Sequence, residues 1–314
     1  MEKDERLKAL TDKLEDGVKA VFESEQYKAY LKAMSKFHNY SFGNVMLILM
    51  QYPQASLVAS YGKWKKVFGR TVKKGERGIQ IIAPSPYRRL VEQDKLDPAT
   101  KKPIIGADGS PEKEAVFIQH QSFRVAYVFD VSQTDGRELP SYGVDKLTGE
   151  VKNYASLLQA IIDVSPVPVH FREADPHIKG CYKHKEQAIF MNEGMSQIDT
   201  VSVLIHETAH AILHALPVKD GQIVGKPEKN KRTREVEAES VAYVVCQHFE
   251  IETDESAFAY IAGWSSDKEL DELKTSLDTI CTTAGDMIAG IESRMPELCM
   301  AEEIAKTHPK EPAR

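Results

Sequence analysis

"VLIHETAHAILH", residues 203–214, contains three histidines at four-residue spacing, with a glutamate directly after the first. On a helix this HExxH spacing places His206 and His210 one turn apart on the same face, so both imidazoles can reach one metal ion. Glu207 would then stand beside a water on that ion and act as its general base. The alternative is an ordinary buried helix, because histidines on an apolar helix face are more often core residues.

A third metal ligand is expected from a second helix. "EVEAE", residues 235–239, puts Glu235 and Glu239 on one helical face. A catalytic zinc has three protein ligands and leaves the fourth position to water, so one carboxylate can complete the set. The other can accept the spare N–H of a histidine ligand. We assign Glu235 to Zn²⁺ and Glu239 to that hydrogen bond, and the reverse assignment is the alternative. Glu237 is predicted to be solvated, and His214 to have a structural or ligand-supporting role.

Hydrophobic periodicity and turn residues predict an α+β fold with two domains, residues 1–134 and 151–300. Residues 135–150 have the composition of a linker, and residues 301–314 are predicted to be a flexible tail. In the second domain we expect strands within "VPVHF" and "GCYKHKEQAIFMN", and helices over residues 153–162, 197–215, 234–249, 254–263 and 267–293.

The first domain is predicted to begin with helical segments over residues 4–35. A buried helix follows, with Ser41 as its N-cap and Pro53 at its end. Strands are expected at residues 79–84 and around residues 125–129. Residues 88–114 are rich in charged residues, Pro and Gly without apolar periodicity, which favours a mobile hairpin loop or insertion.

A basic segment interleaved with aromatic residues lies at residues 61–78. It contains seven basic side chains and a single acidic one, Glu76, together with Tyr61 and Phe68. Basic groups can contact phosphates while aromatic rings stack on bases, which indicates binding of single-stranded nucleic acid. An amphipathic helix with solvated lysines is the competing interpretation. The candidate DNA-binding residues are Lys63, Trp64, Lys65, Lys66, Arg70, Lys73, Lys74 and Arg77.

Composition excludes several classes of protein. The net charge of −6 gives no overall attraction to nucleic acid, so any DNA contact must depend on a local patch. The four cysteines are widely spaced, and neither a disulfide framework nor a cysteine zinc site is expected. No apolar stretch is long enough for a membrane span or a signal peptide. We therefore expect a cytoplasmic protein without membrane contact.

The two motifs together resemble the zincin metallopeptidases, in which HExxH is followed by a helix bearing E-x-x-A-[DNE], here "EVEAE". The gluzincins and the ImmA/IrrE group share this pattern. The resemblance implies that the first acid, Glu235, is the ligand, and that a strand before the active helix, "AIFMN" at residues 188–192, binds extended substrate along its edge. Tyr182 and Tyr243 are candidates to stabilise an oxyanion, although packing roles are the alternative.

The N-terminal half resembles the single-stranded DNA-binding domain of ArdC-type antirestriction proteins, in "YSFGNVMLILMQYPQASLVASYGKWKKVFGRTVKKGERGIQIIAP" and the later "FDVSQT". In that family this domain precedes a zincin-like metal domain, the order found here. The resemblance implies a protein of mobile or conjugative elements that shields DNA from restriction enzymes, with single-stranded DNA and a protein substrate as partners. The alternative is a non-catalytic DNA-binding and DNA-shielding protein whose metal is structural.

Overall fold

The computed structural model describes residues 2–21, 24–106, 109–139, 151, 153–175, 177–251 and 268–307. Eight α-helices and twelve strands are named within these ranges. The helices are α1 (Glu2–Val21), α2 (Ser24–Lys36), α3 (Phe42–Gln51), α4 (Tyr61–Lys66), α5 (Tyr154–Val164), α6 (Gln197–Leu213), α7 (Lys231–His248) and α8 (Leu270–Thr307). The strands are β1 (Val58–Ser60), β2 (Arg70–Val72), β3 (Ile79–Pro84), β4 (Tyr87–Asp94), β5 (Lys113–His120), β6 (Phe123–Asp130), β7 (Thr134–Gly136), β8 (Val169–Arg172), β9 (Gly180–Lys183), β10 (Ala188–Asn192), β11 (Val218–Lys219) and β12 (Gln222–Ile223). The α+β fold class is as expected.

The N-terminal half is built around the antiparallel sheet β1-β6-β3, with the apolar helix α3 beside it. Ser41 is the N-cap residue of α3, as predicted, although its side chain makes no capping hydrogen bond. Asn44 bonds both the N–H and the C=O of Ile82, and Gln51 does the same for Gln80. Because β3 is an edge strand, these two amides satisfy main-chain groups that its outer edge would otherwise leave without partners.

A buried carboxylate fixes the end of β6 against the start of β1. Asp130 is 1% exposed and accepts hydrogen bonds from the N–H groups of Ser56, Leu57 and Ser132. Burial raises the pKa of Asp130, but these donors outweigh that effect and hold it below its ordinary value. Gln133 completes a capping box with Asp130 in the short 3₁₀ turn that follows.

The predicted loop or insertion at residues 88–114 is largely regular structure. Strands β4 and β5 pair in antiparallel register from Tyr87–His120 to Asp94–Lys113 and form a two-stranded ribbon. The hairpin interpretation was therefore right, and the interpretation as a loop was wrong for the two arms. Their side chains, such as Phe117 and Leu90, are exposed on a ribbon without a hydrophobic core of its own, which explains why apolar periodicity gave no signal.

The C-terminal half contains the mixed sheet β8-β10-β9, with the two strands predicted in residues 180–192 as its β9–β10 hairpin. Helix α6 packs against β9, β10, α5 and α7. Strand β10, residues 188–192, lies between β8 and β9, so its edges are occupied. The expectation that this strand binds substrate along its edge was wrong, and β9 is the edge strand beside α6.

The two halves share one hydrophobic core. Helix α2 packs against α7, where the Tyr27 and Ser240 hydroxyls lie 2.8 Å apart in a buried hydrogen bond. The Cys281 thiol donates to the carbonyl of Tyr40, and the Lys274 ammonium contacts Glu15. The N-terminal helices are thus part of the scaffold that supports the C-terminal half.

Several element boundaries differ from the predicted ones, and two predicted segments lie wholly or partly outside the described residues. The first residues of the predicted linker, 135–150, form β7, which pairs with β2, and residues 140–150 lie outside the described ranges. The predicted helix at 254–263 also lies outside them. Helix α8 continues to Thr307, so the tail predicted from residue 301 begins as helix. Within the described residues, no helix combines the length and apolarity needed to cross a membrane.

Candidate metal centre

Helix α6 presents its two motif histidines side by side. Ser196 caps the helix by accepting from the N–H of Asp199, and the apolar residues of α6 fix its rotation by packing in the core. His206 and His210 consequently lie with their Nε2 atoms 3.1 Å apart. Both rings are largely buried, as expected for side chains that face the neighbouring helix α7.

Glu235 on α7 completes a cluster of three ligand atoms. Its Oε2 lies 3.3 Å from Nε2 of His210 and 3.8 Å from Nε2 of His206. A tetrahedral ion with bonds of about 2.0–2.1 Å separates its ligand atoms by about 3.4 Å, so these spacings match such a site. The set of two imidazoles and one carboxylate also fits a divalent metal ion in chemistry, and these residues form a candidate metal-holding group of the described chain.

Glu239 lies on the other side of the first histidine. Its Oε2 is 3.1 Å from Nδ1 of His206, where it can accept the N–H and leave Nε2 free to bind an ion. Burial lowers the pKa of His206, but the hydrogen bond and charge of Glu239, with the charges of Glu207 and Glu235, outweigh burial and raise it. The adjacent His210 imidazole, more than any other neighbour, lowers the pKa of Glu235. Three glutamates, Glu207, Glu235 and Glu239, thus place negative charge around His206.

Glu207 contacts the edge strand rather than another side chain. Its Oε2 accepts a 2.6 Å hydrogen bond from the main-chain N–H of Tyr182 in β9. In the pairing of β9 with β10, the carbonyl of Lys179 accepts from Asn192, so Lys179 and alternate residues point their main-chain groups at β10. Tyr182 points outward by the same alternation, and its main chain lies on the free edge beside the cluster.

Glu237 does not have the solvated position predicted for it. It is fully buried and bonded to Nε2 of His214, to the Lys229 ammonium and to the Ser276 hydroxyl of α8. Burial raises the pKa of Glu237, but these three partners outweigh it and lower the pKa. The prediction was wrong because the side of α7 that carries Glu237 is covered by α8 and by the segment before α7. The unbroken run "VAYVVC", residues 241–246, was the sequence signal for that burial.

The two tyrosines that were candidates for oxyanion stabilisation occupy different surroundings. The Tyr182 hydroxyl accepts from Nε2 of Gln187, and burial raises its pKa despite that bond. Tyr243 is 4% exposed and belongs to the hydrophobic core, a position that fits a packing role. What sequence reasoning missed is the main-chain N–H of Tyr182, since no side-chain pattern marks it.

Two of the predicted DNA-binding residues are structural. Trp64 is completely buried and its indole N–H donates to the carbonyl of Phe129, so the prediction that its ring stacks on a base was wrong. Arg70 uses its guanidinium to bond Thr134, Gly136 and Arg137, which holds β2 against β7. That role replaces the predicted phosphate contact. The structure exposes the other predicted residues, which are Lys63, Lys65, Lys66, Lys73, Lys74 and Arg77.

An aromatic surface next to these basic residues was not predicted as a site. Tyr127 of β6 is 45% exposed and Tyr61 is 52% exposed, and the Tyr61 and Phe129 rings lie 6.5 Å apart. Tyr127 also packs beside Gly78, the residue after Arg77. The alternation of Val125, Tyr127 and Phe129 along β6 was the available signal, because it gives this strand one aromatic face. We call Tyr61, Tyr127 and Phe129 the aromatic face.

Known proteins resemble different parts of this chain. A family model for the N-terminal domain of anti-restriction factor ArdC matches residues 3–129. An uncharacterized Bacillus anthracis protein, pXO2-81, is 29% identical over an alignment 322 residues long, gaps included, that covers 94% of this chain and 52% of that protein. DNA primase TraC of Escherichia coli is 31% identical over 105 residues, which are 33% of this chain and 6% of TraC. The chain thus spans about half of the first relative and a small part of the second.

A solved structure gives the likeness in fold. The Mn(II)-bound crystal structure of antirestriction ArdC protein from the R388 plasmid is similar with a TM-score of 0.50 at 16% identity, over 90% of this chain and 97% of that chain. At this identity the comparison concerns the fold. Together, the two comparisons show an ArdC-type N-terminal domain over residues 3–129 and a fold like that of ArdC over most of the chain.

Proposed function

We propose that this chain is a metal-dependent peptidase joined to a single-stranded DNA-binding domain, and that it acts in antirestriction. The observation that carries the proposal is the convergence of His206, His210 and Glu235, with Glu207 on the adjacent helix position. A structural zinc usually closes its shell with four protein ligands, whereas three ligands plus an acid are the arrangement of a catalytic site.

The ion is assigned as Zn²⁺, held by His206, His210 and Glu235. A bound zinc ion would supply Lewis acidity and activate water at neutral pH. Two histidines and one glutamate form a ligand set that catalytic zinc sites use. The Mn(II) bound by ArdC from the R388 plasmid supports a divalent ion in this fold. The Glu239 carboxylate contacts Nδ1 of His206, on the side of the ring away from the proposed ion. This position favours Glu235 over Glu239 as the metal ligand.

Glu207 is the proposed general base, and β9 is the proposed substrate strand. The Glu207 carboxylate accepts from the N–H of Tyr182, so its oxygens lie where the outer edge of β9 meets the metal ligands. An extended peptide paired with that edge would place a scissile carbonyl beside the acid. The acid would take a proton from the attacking water and deliver it to the leaving amine.

The proposed DNA surface combines the aromatic face with the exposed basic residues around it. Tyr61 and Tyr127 offer ring faces for stacking on bases. Arg77 precedes Gly78, which packs on Tyr127, so the main chain of Arg77 lies close to that residue. Lys74 and Lys63 extend the basic border, while Lys73 already contacts the Ser132 carbonyl and Asp135. Phosphates on the basic border and bases on the rings would together hold a single strand without sequence preference.

The substitution Glu207→Gln tests the peptidase. The amide can still accept from Tyr182, so we expect folding, Zn²⁺ binding and single-stranded DNA binding to be retained. Cells that contain a restriction enzyme and produce either the wild type or the variant are transformed with unmodified DNA, and the surviving transformants are counted. Proteins bound to DNA in these cells are examined for cleavage. Loss of cleavage and of protection supports the proposal. Full protection by the variant would contradict it and identify a DNA-shielding protein whose metal is structural.

A further inference from the structure

The two motif histidines are supported in different ways. Nδ1 of His206 faces the carboxylate of Glu239 directly, at 3.1 Å. Nδ1 of His210 faces a third imidazole instead, with Nδ1 of His214 also at 3.1 Å. His214 is 7% exposed and lies at the C-terminal end of α6, one turn beyond His210. The hydrogen-bond partner of His210 is thus His214, whose Nδ1 can either donate or accept a hydrogen bond.

A buried carboxylate stands behind His214. Oε2 of Glu237 lies 3.2 Å from Nε2 of His214. The Lys229 ammonium contacts both carboxylate oxygens, at 2.7 and 2.9 Å, and the Ser276 hydroxyl donates to Oε1 at 2.8 Å. Glu237 is completely buried, and a carboxylate with a cation and a hydroxyl donor on it is ionised. An ionised carboxylate only accepts hydrogen bonds.

This geometry determines where two protons lie. Because Glu237 accepts, His214 must donate from Nε2. A neutral imidazole has one donor and one acceptor, so Nδ1 of His214 then accepts. His210 must donate to it from Nδ1, which leaves Nε2 of His210 without a proton. That is the nitrogen beside Glu235 and His206, and a metal ligand has to be unprotonated there.

We propose that His214 and Glu237 are positioning residues that hold the proton of His210 on Nδ1 and so keep its Nε2 ready for the metal. The inference rests on the metal site of the proposed function. It also assigns a role to parts of the chain outside the motifs, because Lys229 belongs to the segment before α7 and Ser276 belongs to α8. Both fix the carboxylate that orients the relay.

The substitution Glu237→Gln should reverse the relay with almost no change of shape. In the variant, the amide oxygen can take the Oε1 position and accept from Ser276 and Lys229, once the Lys229 ammonium moves off the Oε2 position. The amide NH₂ then takes the Oε2 position and faces Nε2 of His214. His214 would have to accept there, carry its proton on Nδ1 and donate to His210. Nε2 of His210 would then hold a proton. We expect the Zn²⁺ affinity, measured by competition with a chelator, to fall by about 10–100-fold.

The tautomers can be read directly in the metal-free protein by ¹⁵N NMR of the histidine rings at about pH 8, where free imidazoles are neutral. The wild type should carry the proton of His214 on Nε2 and that of His210 on Nδ1, and Glu237→Gln should exchange both positions. The opposite tautomers in the wild type would overturn the inference without any variant. This measurement is independent of whether the protein binds zinc.

Ser276→Ala is the matched control. It removes a donor to Oε1 of Glu237 but leaves Oε2 on His214, so it should lower the stability while the tautomers and the zinc affinity remain those of the wild type. If Ser276→Ala weakens zinc binding as much as Glu237→Gln, the network only holds the helices together and the inference fails. Wild-type zinc affinity in Glu237→Gln would also overturn it.

Discussion

Oε2 of Glu207 lies 2.6 Å from the main-chain nitrogen of Tyr182, so the acid of the HExxH motif is hydrogen-bonded to the edge strand β9. The bond ties helix α6 to the outer edge of the sheet β8-β10-β9. A substrate strand at that edge and the acid would therefore occupy the same part of the molecule. A substitution that alters the distance between β9 and α6 should therefore alter this hydrogen bond.

Gly180 sets that spacing. A Cβ at this position would lie 2.7 Å from Cγ1 of Val203 in α6, and valine has little freedom to move away. We expect Gly180→Ala to push β9 from α6 and to lower the free energy of unfolding by about 1–3 kcal/mol, as overpacking does. Denaturant unfolding measures the loss, and faster amide exchange at Tyr182 would report the weakened bond to Glu207.

Gly62→Ala is the control, since nothing lies within 4 Å of its Cβ position in the short helix α4. It should leave stability unchanged or raise it by less than about 1 kcal/mol. Equal unfolding curves for Gly180→Ala and the wild type would show that β9 and α6 are not closely packed.

Two substitutions distinguish the proposed DNA-binding role of the aromatic face from the structural role of Trp64. We expect Tyr127→Ala to lower the affinity for single-stranded DNA by about tenfold to a hundredfold, because base stacking contributes about 1–3 kcal/mol. Trp64→Ala should instead lower the free energy of unfolding by about 3–5 kcal/mol, since it leaves a cavity and an unused carbonyl at Phe129.

Charge reversal tests the basic border of the same surface. Lys74→Glu with Arg77→Glu should weaken binding of single-stranded DNA and reduce the slope of log affinity against log salt by about 2. Lys185→Glu, an exposed lysine of the β9–β10 turn, is the control and should change neither quantity by a comparable amount. If Lys185→Glu has half the effect of the double change, as its smaller change in charge would give, only the net charge matters and this surface is not a binding site.

The carboxylate of Asp130 predicts a pH dependence of stability. Its folded pKa is depressed, so its contribution is present above the unfolded pKa of about 3.9 and is lost as pH falls through the lower folded value. Asp130→Asn should be less stable than the wild type at neutral pH, and the gap should shrink as the solution becomes strongly acidic. Urea unfolding at several pH values measures the gap, and a constant gap would contradict the role of the charge.

Sequence patterns succeeded where the chemistry is local. The HExxH spacing and the E-x-x-A-E spacing each concern one helix, and the structure brings His206, His210 and Glu235 together between α6 and α7. They failed where the packing of distant elements decides the environment. Trp64 and Glu237 lie beside polar or charged residues in sequence, but tertiary contacts with Phe129 and with Ser276 of α8 bury them.

The sequence also did not predict which strand lies at the edge of the sheet β8-β10-β9. Periodicity indicated the strands at 180–192 but not that β8 would pair with β10 in parallel and leave β9 outside. That pairing depends on contacts across the sheet, and it determines which main-chain groups remain available to Glu207 and to the proposed substrate strand.

Titration of the metal-free protein with Zn²⁺ tests the metal site most directly, with calorimetry on the wild type and on Glu235→Ala and Glu239→Ala. We expect a single tight site in the wild type, loss of tight binding in Glu235→Ala, and weaker binding at the same stoichiometry in Glu239→Ala, where His206 loses the partner of its Nδ1 atom. Wild-type affinity in Glu235→Ala, or no binding by the wild type, would contradict the site formed by His206, His210 and Glu235.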